Sequence, residues 1–271
     1  MMTQRPPRPL RVLAPALAAG VLLTTAACSD GDDGGQDRAD TTEISSSPLA
    51  QASPAALTPA GARAALVTEA DLEDDWTQVK NAATWRDSLL VGKVDVADFI
   101  TGKADAADCQ KLLDQLYDDD LLGKPSGASA LTGFEEGASR LLYQVAAYKK
   151  SALDTSFSWL KSLPVKCDQF TATDSSGAKR TVQVIEQSLP KEGDARQGLR
   201  VTVRGTTGGT PATLTLDVAA VRVGTDAITL TNGGLDGVDG DTTEQAVKLG
   251  TPRLQDVQAG RTPSADPGEV D

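Results

Sequence analysis

Histidine is missing from all 271 residues. Its absence excludes Ser-His-Asp and Cys-His catalysis, His-ligated zinc and a histidine pH switch. Cysteine occurs only as Cys28, Cys109 and Cys167, and no Cys-x-x-Cys is present, so there is no thioredoxin-like redox pair. Positive charge is short: 26 Lys and Arg face 38 Asp and Glu, for a formal net charge of −12. That excess opposes nucleic acid and anionic lipid headgroups as partners. Aromatic residues make up only 4% of the chain. No Gly-x-x-x-x-Gly-Lys phosphate loop exists. Gly205-Thr206-Thr207-Gly208-Gly209 lies between two strand patterns and reads as a hairpin turn. The apolar run Val12 to Leu23 falls short of the about 20 residues that cross a bilayer comfortably.

What is present begins with a leader. Arg5, Arg8 and Arg11 form a basic region, Val12 to Leu23 an apolar one, and Thr24 to Ala27 a small-residue cleavage region. Residues 1–27 therefore read as a signal peptide. Cys28 directly follows Ala26-Ala27, the lipobox arrangement in which a thiol takes a diacylglycerol before cleavage. Thr25 stands where an aliphatic residue is commoner. Cys28 is the expected lipidation site, and the expected location is the extracellular face of the cell membrane. Loss of the leader removes three arginines and takes the net charge from −12 to −15. Residues 28–57 carry the anchor and a linker that opens Asp30-Gly31-Asp32-Asp33-Gly34-Gly35, too polar to bury a core. Residues 58–258 are the expected folded domain, and 259–271 a disordered tail.

Within that domain Thr58-Pro59 signals a helix start. The chain around Trp76 and Trp85 reads as extended. Cys109, Leu112, Leu113 and Leu116 share one stripe of a helix over Asp105 to Tyr117. Alternation marks strands at Ala130 to Glu135 and Arg140 to Tyr148. A second helix follows, with a capping-box-like start at Ser151 and Asp154. Its stripe is Leu153, Phe157 and Leu160, and its stop is Pro164. Further strands are expected at Cys167 to Thr173, Arg180 to Gln187, around Leu199 to Val203, around Leu214 to Val218 and at Ala227 to Thr231. Val221 and Val223 are out of phase with Leu214, Leu216 and Val218, which suggests a bulge at Ala219-Ala220. Asp241 and Glu244 cap a last short helix ended by Gly250 and Pro252. The class is α+β: an antiparallel sheet in a single domain, with a few helices packed mainly on one face.

With Cys28 lipidated, Cys109 and Cys167 remain as an even pair in an exported domain, which argues for a disulfide. Other chemistries are thin. Ser-x-x-Lys occurs at Ser158 to Lys161 and at Ser176 to Lys179, without the Ser-Asp-Asn and Lys-Thr-Gly elements that accompany it in penicillin-binding enzymes. Acidic clusters at Glu69 to Asp75, Asp118 to Asp120 and Asp236 to Asp241 lack a calcium-loop spacing and read as solvated loops. Trp76, Trp85, Trp159 and Phe157 are candidates to line a ligand groove. Of these, Phe157 on the helix stripe is expected in the core, and Trp159 off it is expected to be exposed. No catalytic set, metal site or cofactor is expected.

The order Ala65-Leu66-Val67-Thr68-Glu69-Ala70-Asp71-Leu72, then Cys109, Tyr143, Phe157 and Cys167, then Val221-Arg222-Val223-Gly224, resembles the PknH-type extracellular sensor domain and related actinobacterial lipoproteins. The resemblance spans about Ala62 to Leu254. It implies a helix-and-sheet fold with a central cleft that takes a ligand outside the cell. The chain departs from the kinase-linked members in having one cysteine pair rather than two, and no kinase or transmembrane helix. The expectation is a lipid-anchored extracytoplasmic binding or sensor-like lipoprotein without catalysis. Its partners would be the membrane, through the lipid on Cys28, and a small-molecule or protein ligand, with no nucleic acid and an open oligomeric state. The alternatives are a structural or protein-interaction lipoprotein of the envelope, or a lipid or glycolipid carrier. A deep apolar pocket would favour a carrier or ligand binder, and a filled core a protein partner.

Overall fold

The computed structural model describes residues 56–264 apart from 73, 74, 92, 93 and 236. The leader, Cys28, nearly all of the linker and residues 265–271 of the tail lie outside the described residues. The helices are α1 Pro59–Ala64, α2 Val96–Ile100, α3 Ala107–Gln115, α4 Lys150–Lys166 and α5 Gly240–Gln258. The strands are β1 Thr77–Val79, β2 Leu90–Val91, β3 Val94–Asp95, β4 Ser129–Glu136, β5 Ser139–Ala147, β6 Gln169–Thr173, β7 Lys179–Gln187, β8 Ala195–Thr207, β9 Thr210–Val223 and β10 Asp226–Gly234. β2 and β3 form a small pair of their own. The other eight strands make one antiparallel sheet in the order β1-β4-β5-β10-β9-β8-β7-β6. The α+β class expected from the sequence is the class observed.

Both faces of the sheet carry a core. On one face Leu142, Val184, Val201 and Leu216 pack with buried residues of α2, α3 and α4. On the other, Tyr143, Val145, Ala219 and Val221 pack with α1 and α5. This arrangement corrects the expected bulge: β9 pairs without interruption with β8 and β10 through Ala219 and Ala220. Leu214, Leu216 and Val218 face one core, and Ala219, Val221 and Val223 face the other. The slip in phase is a change of the buried face along one straight strand, a consequence of strict two-residue alternation.

Cys109 on α3 is bonded to Cys167, the residue that caps α4, with their α-carbons 5.6 Å apart. β6 starts only at Gln169, so the bond joins helix to helix end rather than helix to strand. It closes a loop of 58 residues, worth roughly 4 kcal/mol in the chain-entropy account. Leu112, Leu113, Leu153, Leu160 and Leu163 fill the space between the two helices and the sheet. Each full burial contributes about 2 kcal/mol.

Two helix ends differ from expectation. α4 continues through Pro164 to Lys166, starts after Lys149 and has no side-chain cap at Ser151. Its inward stripe is Leu153, Ser156, Trp159, Leu160 and Leu163, because Ser156 is buried with its hydroxyl donating to the Leu122 carbonyl at 2.8 Å. α5 runs through both Gly250 and Pro252 and is capped by Asp239, whose carboxylate accepts from the Asp241 N–H at 2.9 Å. Gly250 answers to packing: a β-carbon there would run into the Tyr143 hydroxyl. Pro252 lies on the exposed side, where water can serve the carbonyl one turn earlier that it leaves without an N–H. Trp85 closes a 3-10 turn at Ala82–Thr84 rather than lying in a strand.

Candidate functional site

A cleft of about 550 Å³ opens where α4 crosses the sheet above the start of β8. Its size is that of a small-molecule site. Hollows beside Arg140 and beside Arg253 are smaller, about 190 and 80 Å³. Pairing creates the opening. β8 pairs with β9 from Ala195 onward, but its pairing with β7 begins only at Gly198, opposite Gln187. Residues 188–194 swing away between the two strands. Gly198 lets this happen, since any side chain there would collide with the Gln187 carbonyl and with Leu189, which crosses over it. At the far end Gly193 turns at φ +66°, and Asp194 accepts from the Gly224 N–H at 2.6 Å, so the connection is pinned.

The lining is mixed. α4 contributes Phe157, Ser158 and Lys161; the strand side contributes Glu186, Arg196 and Gln197 among others. The sequence expectation for the aromatics holds in part: Phe157 packs against the core, while the expected exposure of Trp159 is overturned. Phe157 is half-buried and lines the cleft. Trp159 is only 8% exposed, packed in the core with the Lys111 ammonium 4.0 Å above its ring. Trp76 and Trp85 are buried as well.

Ser158 and Lys161 are the first Ser-x-x-Lys pair, and both reach this cleft. The Ser158 hydroxyl donates to the Asp154 carbonyl one turn earlier, at 2.7 Å. The backbone N–H groups around it are mid-helix and already bonded, so they offer no oxyanion donors. The second pair is divided: Ser176 caps a turn on Asp174 at 2.7 Å, and Lys179 opens β7. Asp154 is answered by Lys150 at 3.2 Å and Arg222 at 2.7 Å. Hydrogen bonds from those two cations hold its carboxyl below the usual range. That leaves Lys161, Arg196 and Glu186 as charged groups of the cleft with no ion pair among the described residues.

The acidic clusters resolve differently. Asp71 belongs to a capping box with Thr68 and pairs with Arg253 at 3.3 Å; Asp239 caps α5. Asp118, Asp119 and Asp120 form a loop after α3. Burial, then their mutual proximity, pushes the Asp119 and Asp120 carboxyls up. Gln115 donates to the Asp120 carbonyl at 2.9 Å, while Gln115 Oε1 and Asp120 Oδ1 are buried without a partner. Among the described residues no three acidic or cysteine side chains converge on a point that would hold a metal ion. None of their helices is long and apolar enough to cross a membrane.

No family model matches the chain, and no curated protein matches it. Among solved structures it is similar to the extracellular domain of PknH from Mycobacterium tuberculosis, at 12% identity and a TM-score of 0.44. That alignment covers 76% of this chain and 98% of that one. It is also similar to an uncharacterised protein from Mycobacterium smegmatis, at 17% identity and a TM-score of 0.34, over 68% of this chain and 85% of the other. These are partial overlaps of the chain trace and carry no information about a ligand.

Proposed function

We propose that this chain is an exported binding module without catalysis, held at the outer face of the cell membrane by a lipid on Cys28, with its ligand in the cleft under α4. The observation that carries the reading is the cleft itself. It is of ligand size, bordered by a connection that Asp194 pins to Gly224, and has charged groups in its lining that are in no ion pair among the described residues. The Cys109–Cys167 disulfide supports export, because such bonds persist in oxidising compartments. The polar lining does not suit a carrier of lipid tails. A second reading, docking to an envelope protein, draws on the opposite face of β6 to β9. There Thr171, Thr181, Ile185, Arg204 and Thr213 are exposed, and no described helix covers them.

The test is native mass spectrometry of the full chain purified from its own envelope. The expected spectrum shows a diacylglycerol on Cys28, an oxidised cysteine pair and a noncovalent small molecule. A chain without adduct in every preparation, or one that copurifies only with a protein, would overturn the ligand reading.

A further inference from the structure

The sheet from β6 to β9 buries one face against α2, α3 and α4 and leaves the other uncovered. Register fixes which side chains stand there, because residues directly opposite in adjacent strands share a face. Thr173 in β6 lies opposite Lys179 in β7. On its free side Thr173 exchanges backbone hydrogen bonds with Lys103 at 2.8 and 3.0 Å, which extends the row by one residue. Thr181, the next outward residue of β7, is flanked by Thr171 and Arg204. Lys103, Lys179 and Arg204 therefore share the uncovered face near its β6 edge. Two strand spacings, about 10 Å, separate the two lysine backbones, and Arg204 is about 8 Å from Lys179.

All three cations are exposed, and none is in an ion pair among the described residues. The nearby acids are committed elsewhere. Asp174, next to Thr173 in the chain, is held at 3.0 Å by Arg180, whose side chain belongs to the other face. Asp217, the one acid on the uncovered face of these strands, is buried and bonded to Arg200. A chain with 38 acids and 26 bases thus keeps a triangle of positive charge with no acid set into it. Around the cations the face is hydroxyl and amide: Thr171, Thr181, Thr206 and Thr213 are exposed, as is Gln169. Each of these groups both donates and accepts. Ile185 is the one large apolar side chain, so the face lacks the aromatic anchors of a tight protein interface. At physiological salt charges act over only about 8 Å. A narrow strand on this face would feel the three cations and be screened from the acidic remainder of the molecule, whereas a broad membrane surface would meet both.

We infer that the uncovered face binds an acidic polysaccharide strand, with carboxylates against Lys103, Lys179 and Arg204 and sugar hydroxyls on the threonine and glutamine rows. This site is separate from the cleft and stands whether or not the cleft takes a ligand. Contacts between exposed charges are screened by salt, so a chain washed in about 0.5 M salt carries nothing here.

The test measures binding of the detergent-purified full chain to three immobilised polymers: polygalacturonate, neutral dextran and polyglutamate. Polygalacturonate should bind at least about tenfold more tightly than the other two at about 0.05 M salt, and lose that advantage at about 0.5 M. Lys103→Ala/Lys179→Ala should weaken polygalacturonate about tenfold. Lys149→Ala/Lys248→Ala, which removes the same charge elsewhere on the surface, should leave it unchanged. Dextran binding as well as polygalacturonate would overturn the role of charge. Polyglutamate binding as well would overturn the polysaccharide in favour of an acidic protein segment. Binding to none of the three, or equal losses in both double variants, would overturn the site itself.

Discussion

Asp217 has no solvent exposure, and its carboxylate oxygens lie 2.7 and 2.9 Å from the Arg200 guanidinium. Thr243 on α5 reaches the same carboxylate at 3.5 Å and accepts from Asn232 at 3.0 Å. The pair ties β8, β9 and the start of α5 together. Arg200→Met would leave a buried carboxylate alone. It should cost about 2–4 kcal/mol, read as a shift of the urea midpoint; a change within error would contradict the account. The Asp118–Asp120 loop makes a prediction of opposite kind. The Asp119 and Asp120 carboxyls are raised, so they bind protons more tightly folded than unfolded. Their contribution to stability is present at acid pH and lost as pH rises through the raised range. Asp154 and Asp174, both lowered, contribute at neutral pH and lose that contribution as pH falls. Asp120→Asn should therefore melt above the parent at neutral pH and together with it below the ordinary carboxylate range. A neutral-pH loss would contradict this. At this scale the sequence was legible for Cys109 and Cys167 and in part for Phe157, but not for Trp159. Helical periodicity ranks positions on a stripe, but cannot foresee that Ser156 finds a buried carbonyl at Leu122 and rotates the inward face of α4.

Elements were easier to place than their ends. Strand alternation located β4, β5, β7, β8, β9 and β10, because each buries at least one face along its length. Gly250 and Pro252 misled because both usually end a helix, whereas here one meets Tyr143 and the other faces water. That difference is testable. On an exposed helix Gly→Ala gains up to about 1 kcal/mol. At position 250 it should instead cost about 1–3 kcal/mol through overpacking. Tyr143→Phe in the same chain should recover part of the loss, since the hydroxyl is the first atom met. Stabilisation by Gly250→Ala alone would remove the packing argument. The disulfide acts at this scale too. Cys109→Ala/Cys167→Ala should lose about 2–4 kcal/mol of unfolding free energy by denaturant titration. An unchanged midpoint would mean that the leucines between α3 and α4 hold these helices without it.

The whole molecule is a sheet with a core on each face. Two-sided burial is invisible to a reading that looks for a single apolar face, and it is what turned one phase slip in β9 into an expected bulge. The cleft was equally hidden. It depends on where β7 and β8 part company, and that is set by Leu189 crossing Gly198 rather than by any motif. Of its lining, the sequence points to Ser158 and Lys161 for a different chemistry and to Phe157 as one of four aromatic candidates for a groove. The central claim is that a ligand occupies this cleft. Hydrogen exchange compares the envelope-purified full chain with the same protein stripped of bound molecules by unfolding and refolding with its disulfide intact. The account predicts slower exchange in the purified form at residues 157–161 and 186–198, with the uncovered face of β6 to β9 unchanged. Equal exchange throughout, or protection confined to that sheet face, would contradict it.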